Sequence, residues 1–247
     1  MDLFQQLKLK LKKLLFDRKE MAANLAYDLW ASTYDQQPNN LVVYLNEIIF
    51  DEIISVIDLK NKIVIDIGCG TGRHWKKIYS KQPAELIGYD VSLEMLRELR
   101  RKYPDAKANI SNDNYLNELS DQSCDIIIST LVIGHIADLA KAFGEWNRVL
   151  KINSDIFITD FHPEMLSKGA NRSFQHNKEF ISIKTYKHPI STIIDLAKSL
   201  NWELKKIDEK KIDDSVKHFY QGPQSIKVFE KTINEPLVFG CLFRKKG

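Results

Sequence analysis

Two hydrophobic rhythms alternate along the chain. "KIVIDIG", "AELIGYDVS", "AKANIS", "CDIIISTLVI" and "DIFITDF" are short, largely apolar runs that predict strands. Between them, "GRHWKKIYSKQ", "LEMLRELRRKY" and "DLAKAFGEWNRVLK" carry apolar residues at helical spacing. The strands are apolar throughout instead of alternating. That pattern fits parallel strands covered on both faces by helices. Upstream, "MAANLAYDLWASTYD" predicts a helix that "QQPNN" breaks. "LVVYLNEIIFDEIISVID" then predicts a buried helix with Leu41, Tyr44, Leu45, Ile48 and Ile49 on one stripe.

After Phe161 the rhythm fails. Residues 162–190 hold short polar strand-like pieces and no long helix, the pattern of a lid inserted over one end of a sheet. "ISTIIDLAKSLNW" resumes as a helix, "ELKKIDEKKID" as a strand, and "PLVFGCLFRKK" closes the chain as a strand. At the start, residues 1–20 read as a basic amphipathic helix, with Leu3, Phe4, Leu7, Leu11, Leu14 and Leu15 at helical spacing. Residues 21–247 read as one domain. Its predicted class is α/β: a doubly wound, mainly parallel seven-stranded sheet with an N-terminal helical cap.

Composition narrows the function classes. With 247 residues and 44% hydrophobic side chains, the chain can bury a sizeable core. A net charge of +3 is small against 36 basic and 33 acidic residues, so no nucleic acid is expected as partner. Residues 1–20 hold six basic and three acidic residues and so supply the whole excess. That segment suits packing on its own domain, self-association, or, less readily, contact of residues 1–16 with an anionic membrane. The chain is expected to be a monomer or a homodimer. Cys69, Cys124 and Cys241 are far apart and lack metal-ligand spacing. They point to a reduced, cytoplasmic protein with no metal. Neither a membrane span nor a secretory signal is expected.

The candidate chemistry sits where the first apolar run ends, in "KIVIDIGCGTGRH". Gly68, Gly70 and Gly72 let the backbone turn tightly and approach a ligand, and the following helix offers unpaired N–H groups. A dinucleotide site would repeat as G-x-G-x-x-G, but its third glycine position holds Arg73. "VIDIGCGTGRH" instead resembles the first motif of class I S-adenosylmethionine-dependent methyltransferases. "LIGYDVSLEML" resembles their second motif, "ISNDNYLNELSDQSCDIIIST" their third and fourth, and "YDLWASTYD" their lid-like opening helix. "TDFHPEMLSKGANRSF" and "YKHP" resemble stretches of bacterial small-molecule methyltransferases.

The resemblance implies a Rossmann-like fold, S-adenosylmethionine as cofactor and S-adenosylhomocysteine as product. It implies that Asp90 accepts hydrogen bonds from both ribose hydroxyls, a task suited to an acceptor-only carboxylate. The rival reading makes Asp90 a plain helix N-cap, although Ser92 is the better cap candidate. The resemblance also implies roles for Asp66 near the methionine amino group, for Val91 beside Asp90, and for Asp113 and Asn114 at the adenine. Thr130 and Leu131 follow at the fourth strand end. Arg73 either meets the ligand carboxylate or faces solvent. Tyr27, Trp30 and Tyr34 either cap the cofactor or are ordinary core aromatics.

Methyl transfer from a sulfonium is mainly a matter of alignment. A hydroxyl or carbon acceptor also needs a base, for which histidine is suited. His135, His162 and His188 each follow a predicted strand or rejoin the sheet, and are the candidates. The expected partner is a small-molecule acceptor. A carrier-protein-bound acyl group, a quinone precursor, and a non-catalytic cofactor-binding module are the alternatives.

Overall fold

The computed structural model describes residues 19–37, 39–111 and 116–247. Its centre is a seven-stranded sheet. The strands are β2 (Ile63–Ile67), β3 (Glu85–Asp90), β4 (Lys107–Ile110), β5 (Cys124–Thr130), β6 (Leu150–Phe161), β9 (Trp202–Lys211) and β10 (Pro236–Lys245). They lie in the order β4-β3-β2-β5-β6-β10-β9. All are parallel except β10, which runs antiparallel to β6 and β9. From β2 the chain moves outward through β3 and β4, then returns to the other side of β2 as β5. The order therefore reverses between β2 and β5. In such sheets a crevice opens at that point, beyond the carboxyl ends of the strands.

Successive strand residues feed opposite cores, which is why the runs are apolar throughout. Val64, Ile126, Ile128 and Phe157 pack on one face with α2 (Leu41–Ile54), α3 (Trp75–Ser80) and α4 (Leu93–Lys102). Ile65, Ile127, Ile156 and Ile158 pack on the other with α5 (Leu139–Val149) and α7 (Ile190–Ser199). Each fully buried aliphatic or phenylalanine side chain contributes about 1.5–3 kcal/mol of transfer free energy. The buried stripe of α2 is Leu45, Ile49, Phe50 and Ile53, whereas Tyr44 is 40% exposed. The helix is thus turned from the expected stripe, because Phe50 and Ile53 offer more apolar surface to the sheet than Tyr44 and Leu41 do. Helix α8 (Pro223–Thr232) precedes β10.

Between β6 and α7 the chain builds a second, smaller sheet. A short helix, α6 (Pro163–Ser167), leads into a hairpin of β7 (Ser173–His176) and β8 (Glu179–Ile183). Strand β1 (Lys19–Met21) adds to β8 in parallel, making a three-stranded sheet. The expected helix of residues 1–20 therefore yields to strand at Lys19, and residues 1–18 lie outside the described residues. Helix α1 (Ala23–Tyr34) ties this layer to the main sheet. Ala26, Trp30 and Ala31 of α1 pack against Phe174, Ile181, Ile183 and Met95. Among the described residues, no helix is long and apolar enough to cross a membrane.

Candidate active site

A cleft enclosing about 950 Å³, including its part open to solvent, lies at the reversal point. Strand β2 ends there in the glycine turn. Gly68, Gly70 and Gly72 all have positive φ, at +68°, +52° and +72°. A side chain at Gly68 would collide with Val132, its Cβ only 2.1 Å from Cγ2. A Cβ at Gly70 would meet no atom within 4 Å. Gly70 thus exposes bare backbone to the cleft. Gly72 faces Leu99, Trp75 and Tyr103 instead, so it serves packing and does not line the cleft.

Asp90 ends β3 beside this turn. Its Oδ2 accepts from Gly70 N at 2.8 Å and its Oδ1 from Ser92 N at 2.8 Å. Ser92 is the N-cap of α4, accepting from Met95 N. Burial pushes the Asp90 carboxyl up to about 6, against the pull of its backbone hydrogen bonds. Each carboxylate oxygen has two lone-pair sites. Asp90 therefore keeps acceptor capacity toward the cleft, which it lines together with Val91, Ser111, Thr130 and Leu131.

Asp66 is buried one strand away. Its Oδ2 accepts from Trp75 Nε1 at 2.8 Å, and burial pushes its carboxyl up to about 7. It buttresses the turn and is not part of the cleft wall. Arg73 is turned outward to Glu47 of α2, with Nη1 2.9 Å from Oε1. Asp113 and Asn114 lie outside the described residues.

The aromatic helix α1 crosses the mouth of the cleft. Thr71 of the glycine turn donates to Asp35 at 2.8 Å, and Ser92 donates to Asp28 at 2.6 Å. These bonds bolt α1 to both strand-end loops. Tyr27 and Tyr34 line the cleft. Trp30 does not: it is 5% exposed and stacks on Phe174 of the lid at 4.4 Å, the core reading of that residue.

The three histidines separate. His135 lines the cleft. Its Nδ1 lies 3.1 Å from the Lys184 carbonyl, which can only accept, so Nδ1 carries the proton. Its Nε2 then accepts from the Tyr27 hydroxyl at 3.0 Å. Burial and the neighbouring Arg172 pull its pKa down to about 3. His135 is therefore a neutral acceptor that orients Tyr27, with little basicity to offer a substrate. His162 is 3% exposed, caps α6 by accepting from Glu164 N, and faces Glu209 at 3.2 Å. It is held off the cleft by its capping role. His188 anchors the end of the lid, its Nε2 2.8 Å from the Ile136 carbonyl, and lines a smaller hollow with Asp160 and Tyr186. The sequence pattern did not single out Ser111 or Ile136. Only the fold reveals that these two loop positions line the cleft.

The residues present fit S-adenosylmethionine. Gly70 leaves room for close contact, and Asp90 offers carboxylate oxygens for a ribose in the same cleft. Among the described residues, no group of three or more His, Cys, Asp or Glu could hold a metal ion.

Comparison with known proteins agrees. The family described as "Methyltransferase domain" matches residues 65–158. A malonyl-[acyl-carrier protein] O-methyltransferase of Legionella pneumophila is 24% identical over 206 residues, 72% of this chain and 71% of that protein. A demethylmenaquinone methyltransferase of Chlorobaculum parvum is 28% identical over 99 residues, 39% of this chain and 40% of that one. The fold is shared with an S-adenosylmethionine-dependent methyltransferase of Mesorhizobium loti, with TM-score 0.61 and 14% identity, covering 81% of this chain and 98% of that one. The glycine turn and Asp90 lie in the matched segment, on a sheet of the matching topology. Residues 65–158 thus match a methyltransferase domain, on a fold shared with S-adenosylmethionine-dependent methyltransferases, and the chain is an enzyme.

Proposed function

We propose that the enzyme methylates a small molecule that enters between α1, the β5 loop and the lid hairpin. S-adenosylmethionine supplies an activated methyl group when bound. Gly68 and Gly70 give it main chain to lie on, Asp90 holds its ribose, and Val91, Thr130 and Leu131 flank it. Tyr27 and Tyr34 close the site from above. The chain's own contribution is to align the acceptor and exclude water. The observation that carries this reading is the open Cβ side of Gly70 beside Asp90 in one cleft. In this reading residues 21–247 are one catalytic domain and residues 162–190 its lid.

The test is thermal stabilisation by S-adenosylhomocysteine compared with NAD. At a hundred times its dissociation constant, the bound ligand adds about 2.7 kcal/mol. Stabilisation by NAD alone would overturn the reading. A second reading, an acyl group presented on a carrier protein, draws support from the Legionella relative, whose match spans most of this chain. Methylation of a malonyl-carrier protein, against the free thioester, separates the two.

A further inference from the structure

One wall of the cleft is held in place by two side chains of α5 that do not themselves line it. The connection from β4 to β5 runs from Ser111 to Ser123. Ser111 and Leu116 of this connection line the cleft, together with Ile136 and with Trp146 of α5. None of its described residues belongs to a helix or a strand. Side chains grip its backbone instead.

Arg148 directs all five of its N–H donors to this task. Its Nη1 donates to the Leu119 carbonyl at 2.9 Å and to Asp121 at 2.6 Å. Its Nη2 donates to the Leu116 carbonyl at 3.2 Å and to Glu145 Oε1 at 2.7 Å, and its Nε to Glu145 Oε2 at 2.9 Å. Glu145 Oε1 in turn accepts from Leu116 N at 2.8 Å. The N–H and the C=O of Leu116 are thus both held by one ion pair. Exposed ion pairs contribute little. Here the Glu145 side chain is only 8% exposed, and removing it would leave the N–H of buried Leu116 unpaired.

The place of this wall says what it serves. Ser111 N donates to the Asp90 carbonyl at 2.9 Å, so the wall begins beside the ribose carboxylate of the methyl-transfer reading. Leu116, Ile136 and Trp146 make it apolar, which suits the flat face of a purine. The charged amino-acid end of the cofactor is better met by the bare backbone at Gly68 and Gly70. We propose that Arg148 and Glu145 are positioning residues for the base of the cofactor: by locking Leu116 they fix the β4–β5 connection as the wall that reads the purine. The inference rests on the methyl-transfer reading of the cleft.

The test is calorimetric titration of the full-length protein, well below its unfolding midpoint, with S-adenosylhomocysteine and with S-inosylhomocysteine, whose base has a carbonyl in place of the amino group. The wild type should bind the adenosyl ligand about tenfold or more tighter, the effect of one mismatched hydrogen bond. Arg148→Met should reduce that preference to about twofold or less and weaken the adenosyl ligand. Glu145→Gln keeps an acceptor for Leu116 N but loosens the grip on Arg148, and should lose part of the preference. Arg244→Met is the control. Arg244 pairs with Asp155 through Nε and Nη2, each at 2.8 Å, and neither residue lines the cleft. Its loss should lower stability and leave the preference unchanged.

The proposal is overturned if the wild type shows no preference between the bases. It is overturned if the preference survives in Arg148→Met or, where that variant fails to fold, is unchanged in Glu145→Gln. It is also overturned if Arg244→Met loses the preference to the same degree, because the loss would then follow from destabilisation alone. Failure of the wild type to bind either ligand would instead bring down the reading of the cleft itself.

Discussion

In the proposed reading, Asp90 is pulled in two directions. Burial raises its pKa to about 6, while acceptance from two ribose hydroxyls requires the ionised form. Affinity for S-adenosylhomocysteine should therefore fall as pH drops through about 6. Calorimetric titrations between pH 5 and 8 check this, and Asp90→Asn should flatten the profile. His135 makes stability itself depend on pH. Its folded pKa of about 3 lies below the unfolded value, so the unfolded chain binds more protons as pH falls below about 6.5. His135→Gln should lessen the loss of thermal stability between pH 7 and 4. The two glycines should also part company. Gly68→Ala meets Val132 and should lower stability, whereas Gly70→Ala has room in the protein and should chiefly weaken the cofactor. The backbone strain common to both is about 1–2 kcal/mol.

At the scale of elements, the strand-turn-helix units were legible because their runs are long, apolar and closed by strong signals. Ser92 caps α4 as its position suggests. Ser92→Ala should cost about 1 kcal/mol from the cap alone, read as a lowered midpoint in urea. The lid was legible only as a break in rhythm. Its strands are short, and β1 joins them from about 160 residues away, a parallel pairing that no local pattern announces. Sequence separation also hid the contacts of Arg172 with Leu131, Tyr27 and His135 on other elements. Trp30 and Tyr34 looked alike on the helix, but only a view of Phe174 shows which one packs inward. The Trp30–Phe174 stack fastens the lid to α1. Phe174→Ala should remove roughly 3 kcal/mol of packing. Faster hydrogen exchange across residues 173–183 than in β5 would show that the loss is local.

Across the whole molecule, the sheet presents three strand ends, and helix α1 and the hairpin layer lie beside them. The glycine turn belongs to β2, Asp90 to β3, and the His135 loop to β5. Helix α1 and the lid reach these ends from the two sides of the sequence. In the proposed reading, the strand ends hold the cofactor and the acceptor enters beside the lid hairpin. The central claim is tested most directly by calorimetric titration of the wild type and Asp90→Ala with S-adenosylhomocysteine at pH 7.5. The account predicts a single site in the wild type and at least tenfold weaker binding in the variant, the loss of one or more charge-assisted hydrogen bonds. No binding by the wild type, or equal affinity in the two proteins, would contradict it.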